Sequence, residues 1–382
     1  MYPLTLSLSG DALFVYANEE PAVFRADIAG GRAPYTLQVG GEILPLGEDS
    51  SASAVEAAPS PVDSEGVFSF LYAPVSGGMH CLTVTVTDAE GRTASAEAVL
   101  PVSIRTNETD ADWRATFAQA QLTGDPRADV IAIARTQLGY TASRTDFTVQ
   151  PGGDWMHYSR YGAWYGSPYI NWCAAFAGFC LHYAGVTDVP FHSNCGEWLD
   201  LLQAQGLYRP ADAYFPMPGD VVFIDHDGNG VPNHIGLVEA VTVTRTGDEA
   251  GFRFTLSTIE GNREGQVGCF SYDASDATIL GYGQIAGSVG DGFTAVIDTL
   301  IAYDAVQAFT GSEEAAAGLV FQRLQAALDA GLLSEEDYTA LWMRLGMMLY
   351  GDVAERAEGT NWMRLRSSGW FNAYSAYANV TE

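Results

Sequence analysis

The stretch NWCAAFAGFCLHYAG, residues 171–185, places two cysteines in one apolar run. Because the run is apolar almost all round a helical wheel, it predicts a helix that is buried on most sides. Cys173 would lie at the N-terminus of this helix, where unpaired backbone amides and the helix dipole favour a thiolate. Cys180, two turns further along, lacks that advantage. Cysteine also serves as a small buried hydrophobic residue, so the run alone leaves a structural role open.

The chain after residue 219 changes to the alternating apolar pattern that is typical of strands. Successive antiparallel strands are predicted for GDVVFID, HIGLVEAVTVT, FRFTLSTIEGN, QVGCFSY and ATILGYGQI. Upstream, DPRADVIAIARTQLGY (125–140) predicts a helix that starts at Asp125. The aromatic-rich stretch between that helix and residue 171 is interpreted as a loop. Helices first and a meander after them predict a segregated α+β domain.

A nucleophilic cysteine needs a base within hydrogen-bonding reach, and the base needs a group that orients it. His234 opens the strand HIGLVEAV, and the next strand ends in STIEGN. A hairpin about the loop TGDEAG would place Glu260 and its neighbours opposite His234. Glu260 and Asn262, two residues apart, would then project from the same face. The pattern predicts a catalytic site, although each residue taken singly could equally be structural.

Four segments in this order resemble the CHAP family, the cysteine, histidine-dependent amidohydrolases/peptidases: NWCAAFAGFCLHYAGV, PGDVVFIDHDGNGVPNHIGLVEAV, TIEGN and LGYG. The resemblance covers about residues 125–285 and implies a papain-like α+β fold that cuts amide bonds in peptidoglycan. It implies that Cys173 is the nucleophile and that His234 is the general base and then the acid. It also implies that Glu260 orients the imidazole and that Asn262 completes the site. No cofactor is expected.

The turn DHDGNGVPN precedes the strand of His234 and has some features of a calcium loop. Asp225, Asp227 and Asn229 match its positions 1, 3 and 5, but Gly236 stands where a bidentate glutamate belongs. Asp, Asn and Gly are also the residues that hairpin connections prefer. The three residues are therefore calcium candidates, and no metal requirement is predicted.

The stretch DWMHYSRYGAWYGSPYINW, just before Cys173, is dense in tryptophan and tyrosine. Such side chains could line a groove for a glycan strand or a peptide stem, or they could pack as an aromatic core over the helix. Both alternatives stay open for the residues predicted to contact substrate, which are Trp155, Tyr161, Trp164, Tyr165 and Trp172.

The five cysteines are an odd number, so at least one thiol stays free in a monomer. The sequence has no CxxC pair of the kind that binds zinc. A bridge between Cys173 and Cys180 is not expected within a helix. Seven helical residues rise about 10.5 Å, beyond the roughly 7 Å Cα separation that a disulfide tolerates.

Three domains are predicted along the chain. Residues 1–105 alternate apolar positions with β-branched and aromatic residues, and GGRAPYTLQV with LTVTVTDAEGRTA resembles bacterial immunoglobulin-like or PKD-type modules. DAEG predicts a hairpin turn at Gly91, and RTNETDADW (105–113) is interpreted as a polar linker. The α+β catalytic domain is assigned to 110–290. A helical region, with a helix stop at Gly331, is assigned to 291–382.

The chain has 382 residues and a formal net charge of −29, which argues against nucleic acid and anionic lipid as partners. No apolar stretch approaches the ~20 residues of a membrane span, so no membrane insertion is expected. The segment MYPLTLSLSGDALF lacks the basic and apolar regions of a signal peptide. The expected location is secreted or cell surface.

The predicted function is hydrolysis of peptidoglycan, at the muramoyl–L-alanine amide or at a peptide bond in the stem or crossbridge. Two alternatives stay open. The same site chemistry would serve a cysteine protease that acts on proteins. A non-catalytic adhesion protein would instead bind protein partners through the immunoglobulin-like module and the helical tail.

Overall fold

A computed structural model describes residues 2–19, 21–46, 53–56, 60–211, 216, 218–246, 251–273 and 276–285. The predicted helical region at 291–382 lies outside the described residues. The chain divides into two compact units. Unit 1 comprises Met1–Trp113 and Thr141–Asn171, and unit 2 comprises Arg114–Tyr140 and the chain from Trp172 onward.

Unit 1 contains two β-sheets and a two-stranded ribbon. Its strands are β1 (Thr5–Gly10), β2 (Val15–Tyr16), β3 (Ala22–Ala29), β4 (Tyr35–Leu44), β5 (Ser53–Glu56), β6 (Ser60–Val62), β7 (Gly66–Tyr72), β8 (Gly78–Thr87), β9 (Thr93–Ser103), β10 (Phe147–Val149) and β11 (Trp155–His157). One sheet has the order β1–β3–β7 and the other β2–β9–β8–β4–β5, with β6 also paired to β4. The ribbon is formed by β10 and β11.

The two sheets of unit 1 share a core, because alternate side chains of each sheet are buried. Val84 and Val86 of β8 pack with Ile28 of β3, which belongs to the other sheet. The all-β prediction for the N-terminal region is confirmed. Gly91 has a φ of 77° in the predicted hairpin turn, a value that suits glycine. The immunoglobulin-like assignment stays a prediction.

The helices of the described residues are α1 (Asp110–Thr116), α2 (Pro126–Thr136), α3 (Arg160–Tyr165), α4 (Cys173–Tyr183) and α5 (Cys195–Ala204). The prediction of a linker at 105–113 is wrong at its C-terminal end, where α1 begins. Asp112 Oδ2 accepts hydrogen bonds from the backbone amide and the hydroxyl of Thr109 at 2.8 and 2.7 Å. This Thr-x-x-Asp arrangement is a capping box, which stabilises a helix start.

The loop predicted between α2 and residue 171 is also wrong, because that segment contains β10, β11 and α3. Its backbone bonds reach residues far away in sequence. The amide of Phe147 donates to Ser103 Oγ at 2.8 Å, and the amide of Ile104 donates to the carbonyl of Thr145 at 2.7 Å. Phe147 is fully buried. The segment therefore belongs to unit 1, although it lies within the predicted catalytic region.

Unit 2 is built on one antiparallel sheet. Its strands are β12 (Tyr208–Pro210), β13 (Val221–Ile224), β14 (His234–Thr246), β15 (Gly251–Arg263), β16 (Gln266–Asp273) and β17 (Ile279–Gly283). The order is β12–β17–β13–β14–β15–β16, so β17 crosses back to pair with β13 while β13 to β16 follow one another. The predicted strands are confirmed, and β12 is an addition to them.

Helix α4 packs against α2 and against strands β14 and β15. Its residues from Cys173 to Leu181 are all buried, which explains why the sequence is apolar all round. Helix α2 is attached to the same unit by a buried ion pair, in which Arg127 Nη1 lies 2.8 Å from Asp220 Oδ1. Arg127 also donates to the carbonyl of Ile285. Within the part of the chain described, no helix is both long and apolar enough to cross a membrane.

Candidate active site

Cys173 begins α4 and is only 4% exposed. Trp172 occupies the capping position without a side-chain hydrogen bond to the first turn. The first backbone amides of a helix lack intrahelical partners, so they are available to the sulfur. The amide of Ala174 donates to it, which favours the thiolate.

His234 is the first residue of β14 and pairs with Ile224 of β13. Its Nε2 lies 2.9 Å from Oε2 of Glu260. The ring is also hydrogen-bonded to Cys173. Because Nε2 donates to the carboxylate, Nδ1 is the ring nitrogen left to face the sulfur.

Glu260 is fully buried, and its carboxylate is surrounded by donors. The hydroxyls of Thr258 and Tyr272 donate to Oε1 at 2.6 and 2.8 Å, and Arg263 Nη1 lies 3.3 Å from Oε2. Burial alone would raise the pKa of Glu260, but the hydrogen bonds from His234 and Thr258 outweigh burial and lower that pKa. The carboxylate therefore stays charged behind the imidazole.

The hydrogen bond between Cys173 and His234 favours a thiolate–imidazolium pair. A hydrogen bond from Cys195 lowers the pKa of Cys173 most strongly, burial opposes that effect, and the contact with His234 lowers the pKa further. Burial by itself would lower the pKa of His234, yet its contacts with Cys173 and Glu260 raise that pKa to about 9. Both shifts favour the ionised pair at neutral pH, which is the arrangement that cysteine acyl transfer requires.

Cys195 is a site residue that the sequence analysis did not include. Its Sγ lies 3.7 Å from Sγ of Cys173, and the residue is only 8% exposed. It begins α5, where Asn194 Oδ1 accepts a hydrogen bond from the amide of Glu197 at 3.1 Å. The spacing of Asn194 and Glu197 is a sequence signal for a helix start. No local pattern shows that the starts of α4 and α5 approach each other.

The hairpin of β14 and β15 confirms the predicted juxtaposition of its strands, with Gly236 paired to Glu260. Asn262 differs from the regular alternation on which its placement relied. It has a φ of 60°, and the ladder to β16 is irregular between Glu260 and Arg263. The regular alternation of a strand therefore predicts the face of the sheet from which the Glu260 side chain projects, but it does not predict the direction of the Asn262 side chain.

Two glycines allow the elements of the site to approach closely. A Cβ atom on Gly261 would lie 2.6 Å from Cβ of Phe176 in α4. A Cβ atom on Gly236 would lie 2.7 Å from Cγ of Glu260, across the ladder. Both distances are shorter than van der Waals contact allows, so any side chain there would displace helix α4 or the glutamate.

The aromatic residues predicted to contact substrate fall in both units. Trp155, Tyr161, Trp164 and Tyr165 belong to unit 1, and Trp172 belongs to unit 2. Tyr161 and Trp172 are almost completely buried, which agrees with the packing alternative. Trp155 and Trp164 are half-buried and Tyr165 is exposed, so these three retain accessible surface.

The calcium candidates lie in a turn that is held by hydrogen bonds between its own side chains and backbone amides. Asp225 Oδ1 accepts from the amides of Asp227 and Gly228 at 3.0 and 2.9 Å, and Oδ2 accepts from the amide of Gly230 at 2.7 Å. The Asn229 side chain likewise accepts from an amide of the turn, at 2.8 Å. This is the hydrogen bonding of Asx turns, the hairpin alternative given by the sequence. Among the residues that the structure describes, no cluster of three or more His, Cys, Asp and Glu side chains could hold a metal ion.

The same turn brings a second imidazole to the site. His226 is exposed, and its ring centroid lies 5.5 Å from that of His234. Its backbone amide donates to Asn233 Oδ1 at 3.1 Å. The sequence gives no signal for this contact, because it forms only when the turn is folded.

The CHAP domain family model matches residues 161–262, a segment that includes Cys173, His234, Glu260 and Asn262. This match supports the CHAP family for that segment and a hydrolase of the amidase or peptidase type. No curated protein sequence matches the chain.

Two solved structures share limited similarity with the chain. A conjugative transposon lipoprotein from Bacteroides eggerthii DSM 20697 has 15% identity over 26% of this chain and 98% of its own, with a TM-score of 0.20. The PmoD soluble domain from Methylocystis sp. ATCC 49242 has 18% identity over 26% of this chain and 90% of its own, with a TM-score of 0.18. Scores this low carry no argument about fold or function.

Proposed function

We propose that the protein hydrolyses an amide bond of peptidoglycan through a cysteine acyl-enzyme. The observation that carries the proposal is the connected series of Cys173, His234 and Glu260, in which the 2.9 Å contact between His234 and Glu260 is fully shielded on the glutamate side. The match of residues 161–262 to the CHAP domain supports peptidoglycan as the substrate class. Because peptidoglycan lies outside the cell membrane, the proposed location is secreted or cell surface.

In the proposed mechanism, the Cys173 thiolate attacks the amide carbonyl carbon. The backbone amide of Cys173, at the helix start, donates to the developing oxyanion. The His234 imidazolium then gives its proton to the leaving amine, which departs as the carbon–nitrogen bond breaks. Water, deprotonated by His234, attacks the thioester carbonyl, and the carbon–sulfur bond breaks to release the acid and restore the thiolate.

Glu260 orients His234 and stabilises its charged form throughout this cycle. Four donors fix the carboxylate, so the imidazole cannot turn away without giving up a buried charge-assisted hydrogen bond. Asn262, adjacent in the chain to the close contact at Gly261, is proposed to complete the site. The accessible parts of Trp155, Trp164 and Tyr165 in unit 1 are proposed to contact a glycan or a stem peptide.

Digestion of purified sacculi tests this function. We expect the full chain to release new free amino groups without new reducing ends, and mass spectrometry of the products identifies the bond cleaved. Cys173→Ala should abolish the release, whereas the matched control Cys180→Ala, which alters a buried thiol in the same helix, should retain it. Released reducing sugar would contradict amide cleavage. If the chain hydrolysed a protein such as casein and left sacculi uncut, the result would favour a protease instead.

A further inference from the structure

We propose that Cys173 and Cys195 are an oxidisable pair that forms a reversible disulfide, which protects the nucleophile from permanent oxidation. Their sulfurs lie 3.7 Å apart at the starts of α4 and α5. A disulfide has an S–S length of about 2.05 Å, so bond formation requires the two sulfurs to approach each other by roughly 1.6 Å. The inhibitory consequence rests on the proposed function, whereas bond formation does not.

Other thiols in the described residues are poorly placed to compete. Cys180 lies two turns along α4, and a rise of about 10.5 Å over seven residues separates it from Cys173. Cys269 is exposed on β16. Cys195 is therefore the thiol within direct reach of the Cys173 sulfur.

Oxidation proceeds in two balanced steps, with a hydroperoxide as the oxidant. The Cys173 thiolate attacks the terminal peroxide oxygen, the O–O bond breaks, and the departing oxygen takes a proton to leave as water or alcohol. Cys173 is then a sulfenic acid. The Cys195 sulfur attacks the Cys173 sulfur, the S–O bond breaks, and the hydroxide leaves with the Cys195 proton as water. Two thiols lose two electrons, and the peroxide gains them.

The first step prepares the second electrostatically. The Cys173 thiolate keeps the pKa of Cys195 high through their hydrogen bond, and burial adds to that rise. Conversion of Cys173 to a neutral sulfenic acid removes the negative charge beside Cys195. Cys195 then loses its proton more easily, which favours its attack on the oxidised sulfur.

The pair is tested on the full chain by peroxide treatment, then denaturation and blocking of the remaining thiols with N-ethylmaleimide, because Cys180 is buried in the folded protein, and finally peptide mapping. Residues 161–208 contain no lysine or arginine, so trypsin leaves Cys173, Cys180 and Cys195 on one peptide. Chymotrypsin, which cleaves after Phe176, Phe179 and Tyr183, separates them. We expect a Cys173–Cys195 link in the oxidised protein, Cys180 as its maleimide adduct, and a return of activity with dithiothreitol.

The variants Cys195→Ala and Cys195→Ser keep the test decisive if one of them folds poorly. Each should form no link and should accumulate sulfinic acid at Cys173. Each should also fail to regain its own starting activity after reduction, while Cys180→Ala behaves like the parent. A parent protein that shows sulfinic acid without the link, or a link to Cys180, would overturn the inference. A link in a protein that never cleaves sacculi would sustain it and reject the proposed function.

Discussion

Nε2 of His234 lies 2.9 Å from Oε2 of Glu260, and no part of that glutamate reaches solvent. A buried carboxylate needs several partners to remain ionised. Glu260 has them in Thr258, Tyr272 and Arg263 in addition to the imidazole. The negative charge of Glu260 is therefore stabilised by three side chains besides that of His234.

This relationship sets the pH dependence that we expect. The active pair requires a protonated His234 and a deprotonated Cys173. The pKa of His234 is raised to about 9, and the pKa of Cys173 is lowered. Activity should therefore be sustained through neutral pH and should fall as the pH rises through about 9, where the imidazolium is lost. The measurement is kcat/KM on a soluble amide fragment across this range.

Glu260→Gln should move that basic limb to lower pH, because it removes the negative charge that stabilises the imidazolium. A neutral glutamine can still accept the hydrogen bond from His234, so the ring keeps its orientation. Thr258→Val is the matched control, since it removes one donor and leaves the carboxylate in place. An unchanged basic limb in Glu260→Gln would show that the glutamate does not set the pKa of His234.

Thiol reactivity distinguishes the two cysteines of α4. Limiting iodoacetamide at about pH 6, below the reference thiol pKa of about 8.5, should alkylate Cys173 before Cys180 and remove activity in step. Burial raises the pKa of Cys180, so its thiol stays protonated as well as shielded. His234→Ala should slow labelling of Cys173 by removing the cationic partner. Chymotryptic mapping measures both sites, and earlier labelling of Cys180 would refute the assignment of the nucleophile.

The buried ion pair of Arg127 and Asp220 should matter for stability. Loss of one partner leaves a buried charge without compensation, so Arg127→Met should lower the free energy of unfolding by about 3–5 kcal/mol. Arg135→Met is the control, because Arg135 is largely exposed in its 2.8 Å pair with Glu239 and such pairs contribute about 1 kcal/mol or less. Denaturant titration with pulse labelling of the buried Cys180 reports the unfolding of unit 2. Equal losses in the two variants would contradict the expectation.

Chelation should leave hydrolysis unchanged. Asp225 uses both carboxylate oxygens to accept amides of its own turn, and the position of the bidentate ligand in a calcium loop is Gly236. Activity on sacculi in EGTA should therefore equal activity in added calcium. Loss of activity in EGTA that calcium restores would show that the turn opens to bind the ion.

Much of the central sheet could be predicted from sequence, because strand alternation and turn residues are local signals. The pairing of β14 with β15 followed from one loop, and it placed Glu260 beside His234. The approach of Cys195 to Cys173 could not be predicted in this way. It depends on how helices α4 and α5 pack. The sequence signal at the start of each helix shows where that helix begins but not which other helix lies beside it.

The segment 141–171 shows the same limit in unit 1. Its short strands are held by bonds such as that from Phe147 to Ser103, across a wide gap in sequence. The segment has no regular spacing of hydrophobic residues that would indicate strands or their distant partners. It was therefore predicted to be a loop. Asn262 illustrates a different limit, because its positive φ interrupts the alternation on which its predicted direction depended.

Gly236 and Gly261 have a consequence for judging which related chains are active. Neither glycine takes part in the chemistry, yet each occupies a point where one more carbon atom would meet Glu260 or Phe176. A relative that kept Cys173, His234 and Glu260 but carried alanine at either position would force Glu260 or helix α4 to shift. A survey for working enzymes that inspects only reactive groups would count such a chain as competent. Glycine at positions 236 and 261 should therefore be required together with Cys173, His234 and Glu260 when activity is predicted for a related chain.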